Sequence, residues 1–245
     1  MHPTPVPDPT PAAPPADAAA VRAAAILLCA GRGERLGAGV DKALVPLAGR
    51  PLFAWSLEAL ERCAAIAGIV VVGPVRPLRE AIAAAGLGPR KVVAWTEGGR
   101  ERQHSVARGL AALPEGFTHV AVHDAARALV REEVVARVVA DAAAHGAALA
   151  AVPLEDTLKR GAGGRVDATV PRAGLWRAQT PQVFRRDWIV AAHAAAGALA
   201  TDDAALVEAL GHAVHLTQGD PLNFKITTPG DLALAEAWLA AHPRR

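Results

Sequence analysis

Residues 27–52 read LLCAGRGERLGAGVDKALVPLAGRPL, and the fold turns on how that stretch is parsed. An apolar run, residues 23–29, ends in a loop with glycines at 31, 33 and 37 and basic residues at 32, 35 and 42. A short continuous apolar run marks a strand buried on both faces, and Pro51 suits the first turn of a following helix. Glycine after such a strand lets a ligand or another backbone come close. Two common phosphate loops fail here. A dinucleotide fingerprint needs G-x-G-x-x-G, but Gly31, Gly33 and Gly37 are spaced G-x-G-x-x-x-G, with Leu36 in the third place. The next apolar run, GIVVVGPV, ends on glycine and proline instead of an acid for a ribose. The P-loop pattern G-x-x-x-x-G-K-[ST] is absent. The segment is therefore either a plain strand–helix turn or a cradle for a triphosphate. Arg32, Arg35 and Lys42 favour the cradle, because glycine-freed N–H groups form anion nests and flanking cations neutralise a reacting phosphoryl group.

Outward from this loop, strands and helices alternate. Strands are predicted at 23–29, 68–73, 91–95, 119–124 and 147–153, with helices at 51–63, 77–86, 102–113 and 131–145. That rhythm predicts an α/β fold, Rossmann-like, with a mostly parallel sheet flanked by helices. Ligands bind beyond the carboxyl ends of such strands. The loop at 30–37, EGGRERQHS and HDAAR all follow strands, so they should converge on one edge. The rhythm breaks at 154–174, LEDTLKRGAGGRVDATVPRAG, where rough alternation on both sides of GAGG predicts a protruding β-hairpin arm. Helices near 187–197 and 202–210, strands near 213–217 and 223–227, and a closing helix opened by TPGD at 228–231 complete the reading. Residues 1–22 are rich in proline and alanine and read as a disordered tail; residues 23–245 read as one domain.

Composition narrows the function. The 245 residues carry a net charge of +2 with no basic stripe, which argues against nucleic acid. No apolar run reaches the roughly 18 residues of a membrane helix, and the N-terminus lacks a secretory pattern. Cys29 and Cys63 sit in apolar surroundings, as expected of reduced thiols in a cytoplasmic protein. Among 26 basic side chains only Lys42, Lys91, Lys159 and Lys225 are lysines. Each lysine thus becomes a candidate for work that needs a compact ammonium.

CAGRGERLGAGVDK resembles the signature loop of nucleotidyltransferases. Together with EGGRERQHSV, VHDAARALV, DTLKR, GLWRAQTPQVF, TDDAALVEALG and NFKITTPGDLALAE, the chain resembles the 2-C-methyl-D-erythritol 4-phosphate cytidylyltransferases from about residue 23 to 240. The resemblance implies a nucleotidyltransferase fold and transfer of a cytidylyl group from CTP to that sugar-alcohol phosphate, with release of pyrophosphate. It implies nucleotide contacts at Ala30, Gly31, Gly33, Gly99, Ser105, Asp124 and Ala125, and catalytic roles for Arg35, Lys42, Arg172 and Lys225. It also implies acceptor binding by Arg127, Thr157, Arg172, Thr180 and Lys225, with Mg2+ at Asp124. Thr157 and Arg172 would act across the boundary of a homodimer that exchanges its arms. Three positions depart from the family pattern: Asp41 and Ala43 flank the loop lysine in place of proline and glutamine, and Ala128 replaces the proline after HDAAR. An acid at 41 near a triphosphate is expected to weaken nucleotide binding, whereas Ala128 costs only loop stiffness.

Plainer readings stand beside these. Gly98–Gly99 could be a simple turn, Asp124 a helix cap and Lys225 an edge-strand charge. Thr157 and Arg172 read from the residues alone as exposed polar groups. His123 reads as structural, and His212 and His215 as solvated. Rival functions on the same fold are cytidylyl transfer to ribitol phosphate and nucleotidyl transfer to a molybdenum cofactor. From a different class comes a regulatory module that binds nucleotide without catalysis, which intact Arg35, Lys42, Asp124 and Lys225 speak against.

Overall fold

The computed structural model describes residues 21–31 and 41–243. The glycine loop's Arg32, Gly33, Arg35, Leu36 and Gly37, and most of the expected tail, lie outside the described residues. Arg22 already belongs to the fold: its N–H donates to Thr118 Oγ1 at 3.0 Å, and its guanidinium stacks over Phe117.

The chain begins with β1 (Ala23–Leu28), then a 3-10 turn (Lys42–Leu44) and a tiny hairpin of β2 (Pro46–Leu47) and β3 (Arg50–Pro51). Then come α1 (Leu52–Arg62), β4 (Ile66–Val72), α2 (Val75–Ala84), β5 (Val92–Thr96), α3 (Arg102–Ala112), β6 (His119–Asp124), α4 (Glu132–His145) and β7 (Ala147–Pro153). The arm is β8 (Leu158–Ala162) and β9 (Arg165–Val170). The chain closes with β10 (Trp176–Arg185), α5 (Arg186–Ala195), α6 (Asp203–Ala209), β11 (His215–Gln218) and α7 (Pro229–Ala241).

Seven strands form one sheet in the order β11-β7-β10-β6-β1-β4-β5. Strands β5, β4, β1 and β6 run parallel, as does the β7–β11 pair, and β10 is antiparallel to both its neighbours. The apolar run that opens the chain explains the layering. Ala23, Ala25 and Leu27 face one core with Phe53 and Leu60 of α1, Leu78 of α2 and Val138 of α4. Ala24, Ile26 and Leu28 face another with Val106 of α3, Ile189 of α5 and Val207 of α6. A strand covered by helices on both sides has no polar face, hence its unbroken apolar sequence.

Two expectations need correction. Residues 223–227 form no strand. The segment has a real alternation, but Phe224 and Ile226 pack into a third apolar cluster with α7, while Lys225 between them reaches Asp124. A backbone bond from Ile226 N–H to Ala126 O, at 2.8 Å, ties it to the loop after β6. Conversely, β10 is a strand where the sequence reading expects none, because a proline and polar residues interrupt its apolar pattern. Those polar groups are buried with defined partners: Gln182 donates to Asp202 Oδ2 at 2.8 Å and accepts from Ala204 N–H at 3.2 Å.

The arm is present as expected. Gly163 and Gly164, at φ +55° and +78°, make its tip, a conformation that suits a two-residue hairpin turn and strongly favours glycine. Its strands form a separate two-stranded sheet with nearly all side chains exposed.

Candidate active site

A cavity of about 840 Å³ opens beyond the carboxyl ends of β1 and β6. The three loops expected to converge do so. Cys29, Ala30 and Gly31 line it after β1, Gly99, Arg100 and Glu101 between β5 and α3, Arg102 at the start of α3, and Asp124 and Ala125 at the end of β6. Lys42, Lys225 and Thr227 also line it. Lys42 is placed by its backbone, whose N–H donates to Gly31 O at 3.0 Å and so closes the base of the glycine loop. Cys29 is buried and its thiol is pushed up by burial, so it stays neutral and is no nucleophile.

The loop before α3 is held at close quarters. A Cβ on Gly98 would sit 2.5 Å from the Ala30 methyl, and one on Gly99 would sit 2.4 Å from His104 Cβ. These glycines are required by packing and are not merely turn-formers. Ser105 Oγ accepts from Gly99 N–H at 3.0 Å and donates to Glu101 O at 3.1 Å. The serine therefore organises the loop whose backbone faces the cavity.

Asp124 is the electrostatic centre. Its Oδ1 accepts from Arg102 Nε at 3.1 Å and its Oδ2 from Lys225 Nζ at 2.7 Å. Burial pushes its pKa up, but Arg102, Lys225 and Arg127 outweigh that and hold it well below the usual carboxylate range. Asp124 is thus an ionised counter-ion, not a helix cap. Arg102 also donates to Asp203 Oδ2 at 2.6 Å, and Asp203 Oδ1 lies 2.9 Å from His193 Nε2. Burial alone would lower the Arg102 pKa, yet the two carboxylates raise it.

Behind Asp124 the remaining predicted residues form a support. Asp124 N–H donates to Thr180 Oγ1 at 3.1 Å, and that hydroxyl lies 3.0 Å from His123 Nδ1. Burial pushes the His123 pKa down to about 4. Arg127 donates to Asn223 O at 2.7 Å and Ala178 O at 3.2 Å, tying β10 to the segment that carries Lys225. Asn223 Nδ2 in turn donates to Thr180 O at 2.8 Å. Thr157 and Arg172 are exposed on and beside the arm, and neither lines the cavity of its own chain. His212 is not simply solvated: it stacks on Trp188 at 3.9 Å, and His215 stacks on His145 at 4.2 Å.

Sequence reasoning missed Arg102, Asp203 and His193 as site residues. The first two lie inside EGGRERQHSV and TDDAALVEALG, stretches already distinctive, but nothing local in either says that they meet. Two of the three departures from the family pattern are accommodated locally: Ala43 and Ala128 are buried, and Ala128 packs in the α7 cluster.

A carboxyl-end cavity with close glycine turns, lysines and a buried carboxylate, on a mostly parallel sheet, places the chain among the α/β nucleotidyltransferases. The family model described as 2-C-methyl-D-erythritol 4-phosphate cytidylyltransferase matches residues 23–241, and the chain belongs to that family. The enzyme of that name from Geobacillus kaustophilus is 45% identical over 223 residues, covering 89% of this chain and 96% of the relative. The one from Frankia casuarinae is 48% identical over 91% of this chain and 83% of its own length. The crystal structure of the Thermus thermophilus enzyme superposes with a TM-score of 0.73 at 36% identity, covering 90% of this chain and all of that one.

Proposed function

We propose that this chain transfers the cytidylyl group of CTP to the phosphate of 2-C-methyl-D-erythritol 4-phosphate, giving 4-diphosphocytidyl-2-C-methyl-D-erythritol and pyrophosphate. An oxygen of the acceptor phosphate attacks the α-phosphorus of CTP. The bond from that phosphorus to the bridging oxygen of the β-phosphate breaks, and pyrophosphate leaves. No protein nucleophile takes part, so catalysis is positioning and charge neutralisation. The observation that carries this reading is the Asp124–Lys225 pair at the mouth of a cavity also lined by Lys42, in a chain matched to this family along almost its whole length.

Ala30 and Gly31 present backbone to the triphosphate, and the family resemblance assigns Gly33 and Arg35 to the same nucleotide. Lys42 and Arg35 neutralise charge developing on the reacting phosphoryl group. Gly99 and Ala125 border the nucleoside, and Ser105 keeps the first of these in place. Lys225, 41% exposed and anchored on Asp124, meets the acceptor phosphate or the α-phosphate. Thr180 and Arg127 shape the acceptor end.

Among the described residues no three His, Cys, Asp or Glu side chains converge as a metal cage. Mg2+ needs no such cage, since one carboxylate and substrate phosphates suffice. Asp124 keeps lone pairs beyond its two ion pairs, so the residues fit a Mg2+ that arrives with CTP. Such an ion would supply further neutralisation of phosphate charge.

The arm serves a homodimer in this reading. Arg172 and Thr157, which do not line the cavity of their own chain, would complete the partner's acceptor site. Two buried cysteines, both free thiols, accord with a cytoplasmic location. Among the described residues no helix is long and apolar enough to cross a membrane.

The test is pyrophosphate release with each of CTP, UTP and ATP against methylerythritol phosphate and ribitol phosphate. Turnover is expected for CTP with methylerythritol phosphate. Comparable turnover with UTP or ATP, or a preference for ribitol phosphate, would overturn the assignment.

A further inference from the structure

Asp124 is shared by two cations of different shape. Lys225 is a point donor on Oδ2, and Arg102 is a planar fork on Oδ1. Left to itself, a guanidinium beside a carboxylate tends to take both oxygens in a bidentate pair. Arg102 does not do so here. Its Nη1 is drawn to Asp203 Oδ2 at 2.6 Å, so Nε alone reaches Asp124. Asp203 is 1% exposed and starts α6, directly after Asp202, whose side chain caps the helix on Ala205 N–H. The remaining oxygen of Asp203 is occupied by His193 Nε2 of α5 at 2.9 Å, and the His193 side chain is itself 6% exposed.

We propose that Asp203 and His193 are positioning residues for cytidylyl transfer: they hold Arg102 in a split geometry that leaves one oxygen of Asp124 to Lys225. The inference rests on the functional reading above. Neither Asp203 nor His193 lines the cavity, so both act through Arg102. The series runs from α5 through α6 and the start of α3 to the end of β6, and then to the segment before α7. Each link is a charge-assisted bond made to a buried carboxylate, Asp203 or Asp124, and losing one partner leaves the other to find a new geometry. When Asp203 loses its charge, Arg102 swings fully onto Asp124 and Lys225 loses its anchor. A displaced ammonium then no longer meets the phosphate in the transition state.

The experiment combines a kinetic cycle with a spectrum. Asp203→Asn is expected to lower kcat on the order of 10- to 100-fold, as ångström-scale misplacement of a reacting group does, with a smaller change in KM for CTP. In a Lys225→Ala background the same substitution should add little, because its effect passes through Lys225. A purely structural role for Asp203 gives additive losses instead. The second readout needs no turnover. The chain has four lysines, so side-chain NMR of labelled lysine resolves Lys225, assigned by its loss in Lys225→Ala. Asp203→Asn should move the Lys225 signal and leave those of Lys91 and Lys159 in place. Should Asp203→Asn not fold, His193→Leu, which removes only the donor to Asp203, carries both readouts with smaller expected changes. Additive kinetics or an unmoved Lys225 signal overturns the inference. A wild-type chain inactive with CTP and methylerythritol phosphate would instead overturn the functional reading, and the lysine spectrum would still decide the network.

Discussion

Lys225 reaches the cavity from an extended segment with no sheet partner, and it is fixed by a carboxylate 101 positions away in sequence. Lys42 is fixed differently, by the 3-10 turn that follows the glycine loop. Both line the cavity, where the proposed reaction needs a compact cation beside phosphate oxygens. Removing one such donor to a developing oxyanion costs on the order of 10²–10³ in kcat. Lys42→Ala and Lys225→Ala are expected to show that loss in steady-state pyrophosphate release, with unfolding midpoints close to wild type. Lys159 offers a control, since its ammonium bonds Thr169 across the arm at 2.7 Å and stays away from the cavity. Near-normal turnover in either of the first two variants would remove that lysine from the mechanism.

At the scale of elements, β6 carries two histidines whose protonated forms burial disfavours. Burial lowers the pKa of His119 below its ordinary 6.5, and burial takes His123 down to about 4. In the unfolded chain both take up protons near pH 6.5, so the unfolded state binds more protons between that pH and about 4. Stability is therefore full above about pH 6.5 and falls as pH drops towards 4, by about 3 kcal/mol from His123 alone. Urea midpoints measured from pH 7.5 to 4.5 should trace this fall, and His123→Gln should flatten it. An unchanged slope in the variant would assign the acid sensitivity elsewhere. The start of α7 gives a second expectation. Thr228 Oγ1 accepts from Asp231 N–H at 3.2 Å, while Asp231 Oδ2 accepts from Thr228 N–H at 2.8 Å and from both donors of Thr227. This capping box anchors the residue two places after Lys225. Thr228→Ala is expected to cost about 1 kcal/mol, the usual worth of such a cap, in chemical denaturation. Asp231→Ala should cost more and should also lower kcat, because the Lys225 segment loses its far anchor.

At the scale of the whole molecule, the arm is a two-stranded hairpin with almost nothing of its own chain beneath it. Such a hairpin is marginal in water without a surface to lie on. Val166 at 64% and Trp176 at 40% exposure present apolar area on and beside it. A two-fold pair that exchanges this element would cover both surfaces at once. Sedimentation should therefore show a dimer. Mixing Arg172→Ala with Lys42→Ala chains should restore part of the activity, because a hybrid pair keeps one composite site intact. A fully active monomer, or no restoration despite subunit exchange, would mean that the arm serves its own chain.

The sequence by itself determined the elements whose signals are local. The buried run at 23–29, the strand–helix alternation that follows, the GG hairpin tip and the TPGD helix start were all legible, because periodicity, glycine and capping chemistry act within a few residues. It also marked the three loops that meet at the cavity, since every parallel strand of such a sheet delivers its following loop to the same edge. Tertiary structure alone decided what depends on distant partners. Strand β10 is recognisable only once Gln182 is seen bonded to Asp202 and Ala204 and the strand lies between β6 and β7. The alternation at 223–227 looked like a strand because alternating side chains leave the same pattern whether the second face meets a sheet or a cavity. The sharing of Asp124 between Arg102 and Lys225, and the hold of Asp203 on Arg102, bridge gaps of 22 and 101 positions. Charge pairing at that range is fixed by how helices and strands pack, and packing leaves no trace in the residues adjacent to either partner.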